Sequence, residues 1–364
     1  MSDLFGLCAP TVLPPGQLKR IEHSVVFDTV RETGDTHFVH GASATFWKGS
    51  LYLSFAFNEH SENSISEQLL FMRSDDLGAS WTRPARFSAE DGHAHSHGVL
   101  WPDSDGLLCF APVFDGLSER PVNAKGHKSI CFQNLKTELL RFDGEKWTGI
   151  GIVAKDFWPL GQPVPAGENL ILSGCDGKWY AAAARSLNGD HTAFQVTKPG
   201  TDGEIYTEAA AWALGDEICL VMRNETKRVN GLFNAAVALS RDGGLRFEEC
   251  VLSDLPLCTT KPFCGRLRDG RPYLIFNEAL PDAPRDRGRL LLGVGNDPKR
   301  FTVDRTYLID EGRMTEKGRR LALAYPYACE KDGRLYIFYS CESAPSRGAN
   351  NNDIALTVVE TAEL

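Results

Sequence analysis

The chain has 364 residues, 42% of them apolar and 24% charged, and a net charge of −9. That is ample material for a large core and excludes a fibrous or disordered protein. With no Lys/Arg-rich run to neutralise phosphates, nucleic acid is excluded as a partner, and no stretch approaches the ~18 apolar residues that would make a membrane one.

The first 30 residues read as an arm leading into, or closing, the fold that follows. Pro10, Pro14, Pro15 and Gly16 interrupt the place where a secretory leader needs an unbroken apolar core. The ten cysteines lie scattered, many inside apolar runs such as Ile218-Cys219-Leu220, and there is no CxxC. Reduced thiols in a cytoplasmic protein are expected, or a periplasmic or secreted location if a leader has been removed.

From residue 48 onward one phrase recurs, a glycine turn followed by a short apolar strand. It appears at Lys48-Gly49, Asp105-Gly106, Ala166-Gly167, Leu214-Gly215, Asp269-Gly270 and Asp332-Gly333, with glycines 57, 61, 48, 55 and 63 residues apart. A residue able to take a positive φ, followed by a buried strand, is the mark of a hairpin. Six hairpins spaced one four-stranded sheet apart predict an all-β, six-bladed β-propeller, a single domain over 1–364. A second phrase keeps the same beat. Ser74-Asp75-Asp76-Leu77-Gly78-Ala79-Ser80-Trp81 and Ser240-Arg241-Asp242-Gly243-Gly244-Leu245-Arg246-Phe247 share S-x-D-x-G-x-x-aromatic, with decayed relatives near Ser186 and Gly295. The Asp carboxylate is expected to accept backbone N–H groups, and the aromatic to plug between blades.

These phrases resemble the Asp-boxes of bacterial neuraminidase (BNR) repeats, found in six-bladed sialidase propellers. Further likeness to bacterial sialidase-like proteins commonly labelled exo-α-sialidase lies in Ser253 to Phe263, Arg289-Leu290-Leu291-Leu292, Tyr325-Pro326-Tyr327-Ala328 and Gly348-Ala349-Asn350-Asn351-Asn352. The resemblance covers nearly the whole chain.

The resemblance implies three arginines clamping a sugar carboxylate, a Tyr nucleophile relieved of its proton by a Glu, and an Asp acid/base. Such chemistry needs a forked guanidinium to match a carboxylate, and a base beside a phenol whose ordinary pKa is near 10. Glu208 and Arg223, on either side of one hairpin, resemble the Glu and second Arg. Arg289 resembles the third, with Arg285 and Arg287 as rivals, and Tyr325 the nucleophile, with Tyr327 as its rival. Lys261 lies in a phrase typical of the group and is expected to bind an acidic substituent.

The pattern breaks twice. Where the first Arg belongs the chain reads His40-Gly41-Ala42-Ser43, so His40 stands in for that clamp. Where the Asp belongs it reads Asn58-Glu59-His60-Ser61-Glu62-Asn63, leaving Glu59 or Glu62 as the carboxylic acid, and Glu62 as a substrate contact. His93, His95 and His97 alternate, so an extended strand would place all three on one face. His97 or His40 is then a candidate acid/base, and a metal site is the other reading of the His cluster, though no carboxylate or Cys partner is evident in sequence. Tyr206, two residues before Glu208, would share its face on a strand. Most tryptophans read as blade packing, with one or two left to stack on a sugar.

The leading expectation is a glycoside hydrolase of sialidase type removing a terminal sialic, other keto or uronic acid from a glycan, with no cofactor and no metal. The alternatives are a uronate lyase using His, Tyr and Arg, whose elimination needs no Asp acid, and a non-catalytic glycan-binding propeller.

Overall fold

The computed structural model describes residues 5–6, 15–59, 61–87, 91–343 and 353–364. His60 and the Gly348 to Asn352 phrase lie outside the described residues. The described chain forms six antiparallel sheets arranged as the blades of a β-propeller. Blade 1 runs from its inner strand Phe38–Trp47 through Ser50–Asn58 and Gln68–Ser74 to Ala85–Arg86. Blade 4 repeats this plan with Tyr206–Leu214, Glu217–Asn224, Leu232–Ser240 and Val251–Pro256, and blade 5 with Phe263–Arg266, Pro272–Asn277, Arg289–Val294 and Arg305–Glu311. In blade 2 the inner strand is split into Ala94–His95 and Val99–Pro102, and in blade 3 into Trp158–Pro159 and Val164–Ala166. Blade 6 contains Leu323–Lys331, Arg334–Cys341 and Asp353–Glu360, and its fourth strand is Ile21–Asp28 from the opposite end of the chain. Pairing strands from opposite ends of the chain in one blade closes the ring.

All six recurring glycine phrases fall at the start of the second strand of a blade. Those strands are buried along almost their whole length because each has sheet neighbours on both sides and other blades above and below. The cores lie between blades. Ile171 and Ala183 of blade 3 pack with Leu220 and Met222 of blade 4, and Phe338 and Leu356 of blade 6 with Leu53 and Phe55 of blade 1. Cys109, Cys219 and Cys264 are unpaired thiols inside such layers.

Two of the repeated turns share one hydrogen-bond plan. The Ser74 hydroxyl donates to Asp76 and accepts from the Gly78 N–H, both at 2.8 Å, while Asp76 accepts from the Ser80 N–H. Ser240, Asp242, Gly244 and Arg246 repeat these bonds. Trp81 reaches across to Phe338 of blade 6 with ring centres 6.0 Å apart, and so plugs the gap between blades. Ser186 departs from the plan, its hydroxyl accepting from the Leu170 N–H instead.

The inner strands carry the feature that builds the site. In blades 1, 4 and 6 two residues oppose one on the neighbouring strand, between His40 and Ser43, Thr207 and Ala210, and Ala324 and Tyr327. The first residue inside each bulge has a left-handed backbone: Gly41 at φ 66°, Glu208 at φ 50° and Tyr325 at φ 57°. A β-bulge re-aims a side chain off the sheet's alternation, and holding a non-glycine residue there costs roughly 1–3 kcal/mol.

Candidate functional site

The bulges turn side chains into a cavity of about 100 Å³ at one end of the propeller channel. Five blades supply a residue from near the start of their inner strand: His40, His97, Trp158, Glu208 and Tyr325. The connections between second and third strands add Glu62 and Asn63 from blade 1, Ile130 and Phe132 from blade 2, Trp179 from blade 3 and Arg287 from blade 5.

Its reactive core joins two blades. The Tyr325 hydroxyl donates to Glu208 Oε1 at 2.6 Å, Arg223 donates to Glu208 Oε2 at 2.9 Å, and the same guanidinium nitrogen donates to the Tyr325 oxygen at 3.1 Å. Arg223 also holds Glu225 through its Nε and lies over the Trp179 ring, 4.8 Å from the centre. Burial pushes the Tyr325 phenol well above 10, and the neighbouring Glu208 carboxylate pushes it further. Burial works against the charge on Arg223, but Glu208 and Glu225 outweigh it and keep the guanidinium firmly protonated. The resting arrangement is therefore a neutral phenol hydrogen-bonded to a buried carboxylate, beside a cation held by two carboxylates.

Imidazoles fill the opposite wall. The His40 ring lies against Tyr325 with centres 3.7 Å apart, and His97 lies edge-on to His40 at 5.3 Å. Burial, then the adjoining His97 ring and the positive Arg287, Lys261 and Arg223, hold His40 well below its usual range. Burial and Lys261 push His97 down to about 3. Both rings are neutral at physiological pH, able to donate or accept a hydrogen bond without bringing charge. Trp158 donates its indole N–H to the His97 carbonyl at 3.1 Å and fixes that segment.

Two carboxyls border this wall. The Glu62 side chain is half exposed, 3.9 Å from His40 Nε2. The protein crowded around it raises its carboxyl above the usual range, against the pull of Arg287 and Arg223. Glu67 is buried, bonded to the Ser96 hydroxyl and the Asn63 N–H, and burial lifts it to about 7.

The structure brings together Tyr325, Glu208, Arg223, His40, His97 and Glu62, with Arg287 from among the rivals for the third arginine, and separates the other sequence candidates from them. Arg289 does not enter the cavity. It opens a strand in register with Glu311, and carboxylates hold it there, Glu278 at 2.7 Å and Glu311 at 3.7 Å. Arg287, two residues earlier on the preceding loop, lines the cavity and stands over the Tyr325 ring at 5.9 Å. Arg285 contacts Glu225 and Thr259 from the exposed side.

Lys261 lies inside the protein, only 1% exposed, with its ammonium donating to the Leu160 and Pro326 carbonyls at 3.1 and 3.2 Å. It stitches blades 3 and 6, and burial lowers its amine to about 8. Tyr206 packs into the core between blades 3 and 4, because the bulge at Glu208 breaks the two-residue alternation that would have put both on one face. Tyr327 faces the other way, against Phe263.

The three alternating histidines do not share a face either, since Ala94–His95 is a strand of two residues. His93 pairs with Asp115, His95 with Asp91, and only His97 enters the cavity. Among the described residues no cluster of three His, Cys, Asp or Glu side chains suited to a metal occurs. Glu67 and Glu225 went unnoticed in sequence. Glu225, two residues after Arg223, carried a weak signal, whereas nothing local marked Glu67.

No family model matches the chain, and no curated protein matches it by sequence. Solved structures do match its shape. A protein of unknown function from Dyadobacter fermentans superposes with a TM-score of 0.69 at 14% identity, covering 93% of this chain and 99% of that one. The intramolecular trans-sialidase of Ruminococcus gnavus, solved with oseltamivir carboxylate, gives 0.69 at 13% identity over 94% and 98% of the chains. The Trypanosoma rangeli sialidase, solved with sialic acid, gives 0.61 at 13% identity over 96% of this chain and 60% of its own. The fold is that of the sialidase propellers.

Proposed function

We propose that the protein is a glycosidase that removes a terminal acidic sugar from a glycan, with Tyr325 as nucleophile and Glu208 as its base. The observation that carries this reading is the 2.6 Å bond from the Tyr325 hydroxyl to Glu208. A phenol that resists ionisation becomes a nucleophile only as a positioned carboxylate takes its proton, and here that carboxylate is in place before substrate arrives. A neutral nucleophile also approaches an anionic sugar without the repulsion a carboxylate would meet. Arg223 and Arg287 attract and orient the sugar's carboxylate.

In the first step the Tyr325 oxygen forms a bond to the anomeric carbon as its proton passes to Glu208. The bond to the leaving oxygen breaks as Glu62 protonates that oxygen. Water then attacks the glycosyl-tyrosine, giving a proton to Glu62, and the released phenolate recovers its proton from Glu208. Glu62 suits the acid role because its raised pKa leaves more of it protonated near neutrality than an ordinary carboxyl.

Elimination is the second reading, favoured by the neutral His40 ring lying 3.7 Å from that of Tyr325 where a hydrolase pattern has a cation. The two reactions leave different products. Incubation with a panel of sialosides and glycuronides is expected to release the free acidic sugar without the ultraviolet absorbance near about 235 nm that an unsaturated uronate shows. Tyr325→Phe is expected to lower the rate by about a thousandfold. A rise in that absorbance selects elimination, and binding without any product selects the non-catalytic glycan-binding propeller.

A further inference from the structure

Glu62 sits in the blade 1 connection between strands Ser50–Asn58 and Gln68–Ser74, and its side chain does not fix its own place. It is half exposed and meets His40 Nε2 at 3.9 Å, beyond hydrogen-bond reach. Where its carboxyl stands is therefore set by the backbone of the loop. Of the described loop residues 59 and 61–67, Glu67 alone is buried. It takes no part in the proposed bond-making and bond-breaking, yet both of its carboxyl oxygens are engaged.

Oε2 accepts the N–H of Asn63, the residue after Glu62, at 2.5 Å. Asn63 has a left-handed backbone at φ 63°, which asparagine tolerates better than most residues. Oε1 accepts the hydroxyl of Ser96, which is fully buried between the two pieces of the blade 2 inner strand and immediately precedes His97. Backbone bonds fix the stem, with the Glu67 N–H donating to the Ser64 carbonyl at 3.1 Å and the His95 N–H to the Glu67 carbonyl at 3.0 Å. The Asn58 amide closes the loop on the Ser64 hydroxyl at 2.7 Å. One carboxyl thus ties the peptide joining Glu62 to Asn63 to the wall that carries His97, across two blades. An apolar residue of the same size would fill the space and supply neither bond.

We infer that Glu67 is a positioning residue for the acid, its carboxyl holding the peptide after Glu62 so that Glu62 faces the leaving oxygen. The inference rests on the glycosidase reading above, with Glu62 as proton donor. The bond to Asn63 needs only one acceptor oxygen, because the Ser96 hydroxyl can donate or accept. A glutamine therefore keeps both contacts, whereas alanine and leucine lose both.

The test compares leaving groups, because a nitrophenolate departs without a proton and a simple alkoxide does not. The full chain is assayed on p-nitrophenyl and methyl glycosides of N-acetylneuraminic acid and of glucuronic acid, reading kcat/KM, which covers the steps up to the glycosyl-tyrosine. In Glu67→Ala, and in Glu67→Leu, which keeps the volume, the methyl glycoside is expected to slow about a hundredfold and the p-nitrophenyl glycoside less than about threefold. A selective loss of this kind cannot come from misfolding, which slows both alike. Glu62→Gln is expected to show the same selectivity, and Glu67→Gln to recover most of the methyl glycoside rate. Equal losses on the two glycosides, no loss at all, or no recovery in Glu67→Gln overturn the positioning role while the glycosidase reading stands. If Glu62→Gln slows both glycosides alike, or the parent cleaves none of the four, the acid assignment or the glycosidase reading falls and this role falls with it.

Discussion

The same bulge opens the inner strands of blades 4, 6 and 1, yet it carries opposite contents on the two sides of the cavity. In blades 4 and 6 the left-handed position holds Glu208 and Tyr325, and the strain is tied into a hydrogen-bonded unit with Arg223. In blade 1 the equivalent position is Gly41, and the space a side chain would take is filled from blade 2. A Cβ on Gly41 would lie 2.1 Å from the His97 ring. One side is a charged, mutually neutralising cluster, and the other is neutral imidazole packed against bare backbone. Identical backbone geometry thus produces a reactive pair where side chains point in, and a socket for a neighbour's ring where none does.

The largest expected effect breaks the charged side. Arg223→Ala leaves Glu208 and Glu225 buried without their shared cation, and removing one partner of such a cluster costs about 3–5 kcal/mol. Chemical denaturation followed by tryptophan fluorescence measures it. A loss below about 1 kcal/mol would mean that the two carboxylates take up protons easily and that the cluster is not a unit.

The imidazole side is broken by Gly41→Ala, which adds a side chain at positive φ and forces the His97 ring to move, for about 1–3 kcal/mol. The comparison is sharpened in a double-mutant cycle, since Gly41→Ala should cost less in a His97→Ala background than in the parent. Equal costs in both backgrounds would show that backbone strain alone reserves this position for glycine.

The last effect concerns Glu67, buried beside the cavity. Its folded-state pKa of about 7 lies above the ordinary carboxyl value of 4.5, so the folded state binds the proton more tightly than the unfolded chain does. This favourable contribution is complete below pH 4.5 and is lost as pH rises through 7. Glu67→Gln, which stays neutral, is expected to flatten the fall in stability between those limits. Parallel stability–pH curves for parent and variant would place the titration elsewhere.

Much of the fold was legible because it is periodic. The six glycine phrases marked the second strand of every blade, and the Ser74 and Ser240 turns appeared with their hydrogen-bond roles already readable. The candidate site was legible only in part. The Tyr325, Glu208 and Arg223 positions were approached through resemblance, and the structure places all three in contact. The misplacements have two sources. Tyr206 and the His93–His97 series were placed by extended-strand alternation, which the bulge at Glu208 and the split inner strand of blade 2 interrupt. Arg289 was placed by resemblance, and the loop before its strand brings Arg287 to the cavity instead. Glu67 carried no local signal, because its character comes from being buried against Ser96, 29 positions along the chain.

The sequence by itself determined the architecture, since strand, turn and interblade packing depend on residues close together and repeated at a near-constant interval. Only the tertiary structure decided the chemistry at the mouth. Tyr325 is separated from Glu208 by 117 positions. Their contact, the neutrality of His40 and His97, and the substitution of Arg287 for Arg289 all follow from how closing a ring aims side chains from all six blades into one cavity. Burial and neighbouring charge, rather than residue type, then set which groups hold protons.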